Sequence, residues 1–133
     1  MKKVFTIGYW VVTALMAALM LAGSVPDVLI VPQAVGVFKH LGYPTYLLPF
    51  LGTAKILGVI AVLVPSPRAL KEWAYAGLFF DLSGALYSHL SAGDPASVWA
   101  FPVIGLLLVV GSYLFARVRW EQRASVDGDL AFA

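Results

Sequence analysis

The chain has 133 residues, 61% of them hydrophobic and only 12% charged, which is the length of one domain but far outside the composition of a soluble one. Its net charge is +2, with the basic residues scattered at the ends of apolar runs, so a nucleic-acid partner is excluded and the charge reports topology instead. The chain contains no cysteine, which removes disulfides, thiolate catalysis, iron–sulfur ligation and cysteine-type zinc sites.

Four runs reach the roughly 18 apolar residues that suggest a membrane-crossing helix. The first, Val4 to Gly23, follows Met-Lys-Lys and contains Ala22-Gly23-Ser24, so a cleavable leader competes with a retained helix. Its apolar stretch exceeds the roughly 7–15 residues of a signal core, and it is read as a retained span. Residues 24–45 form a long connection with three prolines. Within it, Val31 to Leu41 is expected to make a short interfacial helix after Pro32, with Val35, Phe38 and Leu41 on one side.

The second span runs from Tyr46 to Val64 and is closed by Pro65-Ser66-Pro67. The third runs from Glu72 to Ser91 and is closed by Gly93-Asp94-Pro95, since proline removes a backbone donor and turns the preceding residue out of the helix. Val98 to Ala116 is the fourth, and residues 124–133 read as a flexible cytoplasmic tail. Short links make sequential helices antiparallel neighbours. The expected fold is therefore all-α: one domain over residues 1–123, a four-transmembrane-helix antiparallel bundle with a long outward first loop.

Counting basic residues beside the spans sets the orientation. Lys2, Lys3, Arg68, Lys71, Arg117, Arg119 and Arg123 fall on one side and Lys39 on the other, which places both termini in the cytoplasm of a multi-pass inner-membrane protein. Trp10, Trp73, Trp99 and Trp120 lie near span ends, as interfacial anchors do.

Two charges interrupt the apolar runs. Lys55 lies at the middle of the second span and Asp81 near the middle of the third, hence at one depth on antiparallel neighbours. Either alone would cost roughly 2.5–3.5 kcal/mol at a helix centre, so an ion pair between them is expected. Gly77, Asp81, Gly84, Ala85 and Ser88 share one helical face, and Gly52 and Gly58 flank Lys55, so close approach of the two backbones is expected there. Such a pair can lock helix register or take part in chemistry, and both readings stand.

His89 lies about 12 Å along the axis from Asp81 and is turned roughly 80° away, too far to touch it. Near it fall Ser88, Ser91 and Asp94, and the first loop could bring Tyr43, His40 and Asp27. One reading is an interfacial histidine bonded locally. The other is a polar pocket with His89 at its mouth and Lys55 and Asp81 at its floor, giving Asp81, Lys55 and His89 as candidate catalytic groups and Ser88, Tyr43, Asp94 and His40 as candidate ligand-binding ones. His40 and His89 could in principle be axial haem ligands, but these usually stand on facing helices around a cavity. No metal site is expected, because a catalytic zinc needs three ligands, and phosphate loops, nucleophile elbows and HExxH are missing from the sequence.

The segment from Leu41 to Pro95 resembles the DoxX-like family of small four-helix membrane proteins. The resemblance rests on Gly42-Tyr43-Pro44, Lys55 in TAKILG, Pro65, Lys71-Glu72-Trp73-Ala74-Tyr75-Ala76-Gly77, Phe80-Asp81-Leu82, Ser88-His89 and Gly93-Asp94. It implies a membrane bundle. The family name traces to a subunit of a thiosulfate:quinone oxidoreductase, and relatives are associated with redox-stress complexes or, more distantly, receptor assembly. No built-in cofactor is expected, and a quinone enters only through the resemblance. Three readings follow: a protein, free-standing or a subunit of a membrane redox system, that binds a lipophilic quinone-like molecule in a polar intrabundle pocket; an accessory or assembly factor that binds partner membrane proteins or a second copy; and a cofactor-free isomerase or hydrolase acting on a hydrophobic substrate.

Overall fold

Five helices make up the computed structural model, which describes residues 2–132, with side chains described for residues 3–125. They are α1 (Lys2–Leu29), α2 (Pro32–Leu41), α3 (Leu47–Leu63), α4 (Arg68–Ser91) and α5 (Ala96–Phe132), with no strand among the described residues. α2 is the short helix expected after Pro32. It starts with that proline in its first turn and turns Ala34, Val35, Phe38 and Leu41 inward.

Three of the helices end in the same way. A residue in the left-handed region lets its own backbone N–H and the next one fold back onto the last carbonyls. At α1 this residue is Ile30 (φ 54°), with Val31 N–H donating to the Pro26 carbonyl at 3.2 Å and Ile30 N–H to that of Asp27 at 3.2 Å. Gly42 (φ 82°) closes α2 and Gly93 (φ 76°) closes α4 with the same pair of bonds. These reversals set the direction of the residues that follow, Tyr43 and Asp94 among them.

α1 passes the expected end at Gly23 and continues through Pro26 to Leu29. Proline is expected to end a helix, yet near a terminus it removes only one intrahelical bond. The extra turns carry Asp27 into the bundle. Helix α5 likewise runs to Phe132, where a loose tail is expected from Ala124; an existing helix grows by one bond per residue, and no proline stops it. Side chains of that tail beyond Ser125 lie outside the described residues.

The four long helices form a ring in which α1 and α4 each pack against both α3 and α5. Contacts run in opposite directions along each neighbouring pair. Gly52 and Lys55 of α3 meet α1 near Ser24 and Asp27, Tyr9 lies beneath Arg119, and Leu82 meets Gly105. Met16, Met20, Val59, Val62, Leu78, Leu82 and Val109 fill the centre. Thr13 Oγ1 and Tyr75 OH both bond Ser112 Oγ, at 2.6 and 2.7 Å, which ties α1, α4 and α5 together.

Many large apolar side chains face outward. Val4, Ile7, Phe50, Trp73, Phe80 and Leu107 are all more than half exposed, Trp73 reaching 79%. Extensive apolar exposure of this kind marks a surface meant for lipid or another protein. By length and hydropathy α1 and α5 are able to cross a membrane, while α3 is apolar but shorter at 17 residues.

Candidate functional site

Lys55 and Asp81 meet, but not as the pair the sequence suggests. Lys55 Nζ donates to Asp27 Oδ2 at 3.0 Å, whereas Asp81 Oδ2 is 3.9 Å away. Asp27 is therefore the near partner and Asp81 the far one. All three side chains are largely buried, at 16%, 13% and 21% exposure for Lys55, Asp27 and Asp81. One cation thus faces two carboxylates across α1, α3 and α4.

Gly52 makes this possible. A Cβ at that position would come within 2.9 Å of Asp27 Cβ and Val28 Cγ2 and 3.0 Å of the Ser24 carbonyl oxygen. The bare glycine lets α1 lie directly on α3, one turn before Lys55. The expected contact of glycines between α3 and α4 is corrected in part. A Cβ added at Gly58 would lie 3.4 Å from the Leu78 side chain, an ordinary contact, but one added at Gly77 or Gly84 would have no neighbour within 4 Å. The missing side chain of Gly77 instead opens a groove.

That groove, about 430 Å³, lies between α3 and α4 and is lined by Ala54, Lys55, Gly58, Trp73, Gly77, Phe80 and Asp81. On the other side of the same two charges lies a second cavity of about 130 Å³, bordered by Met20, Gly23, Leu82, His89, Phe101 and Pro102 as well as by Lys55 and Asp81. Lys55 and Asp81 thus stand in a wall shared by two cavities. His89 borders the smaller one.

Towards the α2 end, Asp94 joins two histidines. His40 Nε2 is 2.6 Å from Asp94 Oδ1, and His89 Nδ1 is 2.7 Å from Asp94 Oδ2. The Gly93 reversal places Asp94 there, since Asp94 N–H also donates to the His89 carbonyl at 3.0 Å. Each oxygen of the carboxylate thus receives one ring N–H. Among the described residues no three His, Cys, Asp or Glu side chains gather to hold a metal ion.

Tyr43 and Ser88 close the neighbouring part. Ser88 Oγ donates to the Gly84 carbonyl at 2.7 Å, and a hydroxyl has one proton. The very short bond between Tyr43 and Ser88 is therefore donated by Tyr43. Of the residues singled out in the sequence, Tyr43, Ser88, His89, Asp94 and His40 gather where side chains from the end of α2 and the residue after it reach the end of α4, and Lys55 with Asp81 forms a separate cluster. Asp27, which the sequence groups with the first set, belongs to the second. The signal that could have placed it is its position a single helical turn past Gly23, legible only if α1 is allowed to pass Pro26.

The bonds from His89 and His40 hold the Asp94 carboxyl below its usual value of 3.8. A carboxyl depressed in the folded state stabilises the fold above its unfolded pKa, and that contribution fades as pH falls towards the folded value. Thermal melts in detergent should therefore show wild type losing stability below about pH 4 more steeply than Asp94→Asn. Parallel acid limbs would dissociate Asp94 from this role.

A profile of the DoxX-like family matches residues 11–112. The chain belongs to the DoxX-like family. The match spans α1 from its third turn, all of α2 to α4 and most of the apolar part of α5, so every residue of both clusters in this DoxX-like chain lies inside it. No curated protein and no solved structure matches the chain.

Proposed function

We propose that this DoxX-like chain is a multi-pass inner-membrane protein, all four long helices spanning and both termini cytoplasmic, that binds a lipophilic, quinone-like molecule beside Lys55 and Asp81. The observation that carries the reading is the pair of cavities sharing those two side chains. The larger groove opens on the apolar exterior between Trp73 and Phe80, a lateral entry suited to a ligand dissolved in the bilayer. A flat apolar ring with a carbonyl oxygen matches the chemistry: the walls supply apolar area, and the Lys55 ammonium supplies a charge-assisted donor.

Asp27 holds Lys55, so Asp81 is the carboxylate free to act. With one cation and two acids, the site lacks one positive charge or one proton. Asp81 is the group through which a ligand hydroxyl or a relayed proton would supply it, and His89 is the other titratable residue, besides Lys55, that lines the smaller cavity with it. Membership of a membrane redox system follows if the bound molecule is a quinone.

The test is to purify the protein in mild detergent, extract it and identify bound small molecules by mass spectrometry, for wild type and Asp81→Asn. A stoichiometric quinone or similar molecule in wild type, reduced at least ten-fold in a folded Asp81→Asn, supports the reading. No bound lipophile, together with a co-purifying membrane protein, overturns it in favour of an accessory subunit that uses the apolar exterior for partner helices.

A further inference from the structure

The opposite end of the bundle carries a second cavity-based site that the quinone reading does not use. A cavity of about 410 Å³ opens where α1, α5 and the link between α3 and α4 meet. Arg68, Lys71, Arg119 and Arg123 line it, and among the described residues no acidic side chain does. Trp10 and Trp120 form its aromatic walls.

Three of these cations, Arg68, Lys71 and Arg119, are held in place. The Arg119 guanidinium lies 4.6 Å above the ring of Tyr9 and 5.9 Å from that of Trp10, and Arg68 lies 4.9 Å above Trp120. Lys71 Nζ donates to the carbonyls of Val62 and Val64 at 2.7 and 2.9 Å, closing the end of α3. Glu72, 3.5 Å from Arg68 Nε, offsets one of the four charges from outside the cavity. Burial, then repulsion from Arg119 and Arg123, holds the Lys71 amine below its usual value of 10.5. Like charges crowded around a concave space are relieved by an anion between them.

We propose that this cavity binds the phosphate of an anionic amphiphile, with the guanidinium groups of Arg119 and Arg123 on the phosphate and Trp10 and Trp120 against the adjoining glycerol and upper acyl carbons. Guanidinium forks suit phosphate oxygens, and tryptophan sits at the level where headgroup meets chain. The site lies at the end of the bundle with the excess of basic residues, where a bilayer presents its anionic leaflet. A lipid headgroup and free phosphate share this recognition chemistry.

Binding to the detergent-purified protein can be followed by tryptophan fluorescence and native mass spectrometry, with phosphatidylglycerol, phosphatidylcholine and inorganic phosphate titrated separately. Saturable binding of phosphatidylglycerol is expected, at least ten-fold tighter than phosphatidylcholine. Arg123→Gln, at an exposed position, should weaken it about five-fold, and Arg119→Gln/Arg123→Gln roughly 25-fold. Lys39→Gln, at the far end, should leave it unchanged. Millimolar inorganic phosphate that protects wild type but not Arg123→Gln, with no preference for phosphatidylglycerol, keeps the anion site and makes its source the soluble ion. Equal binding of both lipids with no effect of phosphate overturns the proposal, as does equal weakening by Lys39→Gln and Arg123→Gln.

Discussion

Replacing Lys55 with methionine is expected to destabilise the protein by about 3–5 kcal/mol, the usual consequence of stranding a buried charge. Here the loss leaves two carboxylates without a cation, because Asp27 and Asp81 both face Lys55, at 3.0 and 3.9 Å. Denaturant or thermal unfolding in detergent measures it. Charge reversals give a sharper reading. Lys55→Asp/Asp81→Lys should not restore stability, since the aspartate introduced at position 55 would stand beside Asp27. Asp27→Lys/Lys55→Asp keeps the short pair and should recover most of the loss. If the first swap restores stability and the second does not, Asp81 is the true partner and the assignment of Asp27 is wrong.

The second large effect belongs to Gly52. Gly52→Ala should cost about 1–3 kcal/mol and Gly52→Val more, because the added carbon meets Asp27 Cβ, Val28 Cγ2 and a backbone carbonyl, all at 3.0 Å or less. A backbone atom cannot turn aside as the end of a long side chain can, so α1 and α3 must separate. That movement also lengthens the Lys55–Asp27 bond, so Gly52→Ala should perturb the charged cluster as well as the fold. Gly77→Ala, with open space around the position, is the matched control and should be near neutral in stability while narrowing the groove. Equal losses for the two glycines would refute close packing of α1 on α3.

Helix content, the short helix after Pro32 and the approach of Lys55 to Asp81 were all legible in the sequence. Each rests on a local rule: apolar run length, proline position, or the cost of an isolated charge in an apolar span. The role of Asp27 was not legible, because a proline nearby argues for a helix end, and only packing decides whether the helix continues. The pairing of His40 with Asp94 was equally out of reach. It joins residues 54 positions apart, and depends on where the end of α2, packed on α1 and α3, is carried relative to the turn after α4.

By itself, the sequence determined an all-helical chain with an apolar exterior, a mid-span lysine and aspartate, and basic residues gathered towards one end, since composition and periodicity act through the nearest neighbours of each residue. Only the tertiary structure decided which carboxylate holds Lys55, which glycine brings two helices into contact and which merely opens a groove, and that four basic residues from α4 and α5 surround one cavity. Those outcomes depend on distances between helices. Such distances follow from the fit of whole surfaces, a property that no single stretch of the chain contains.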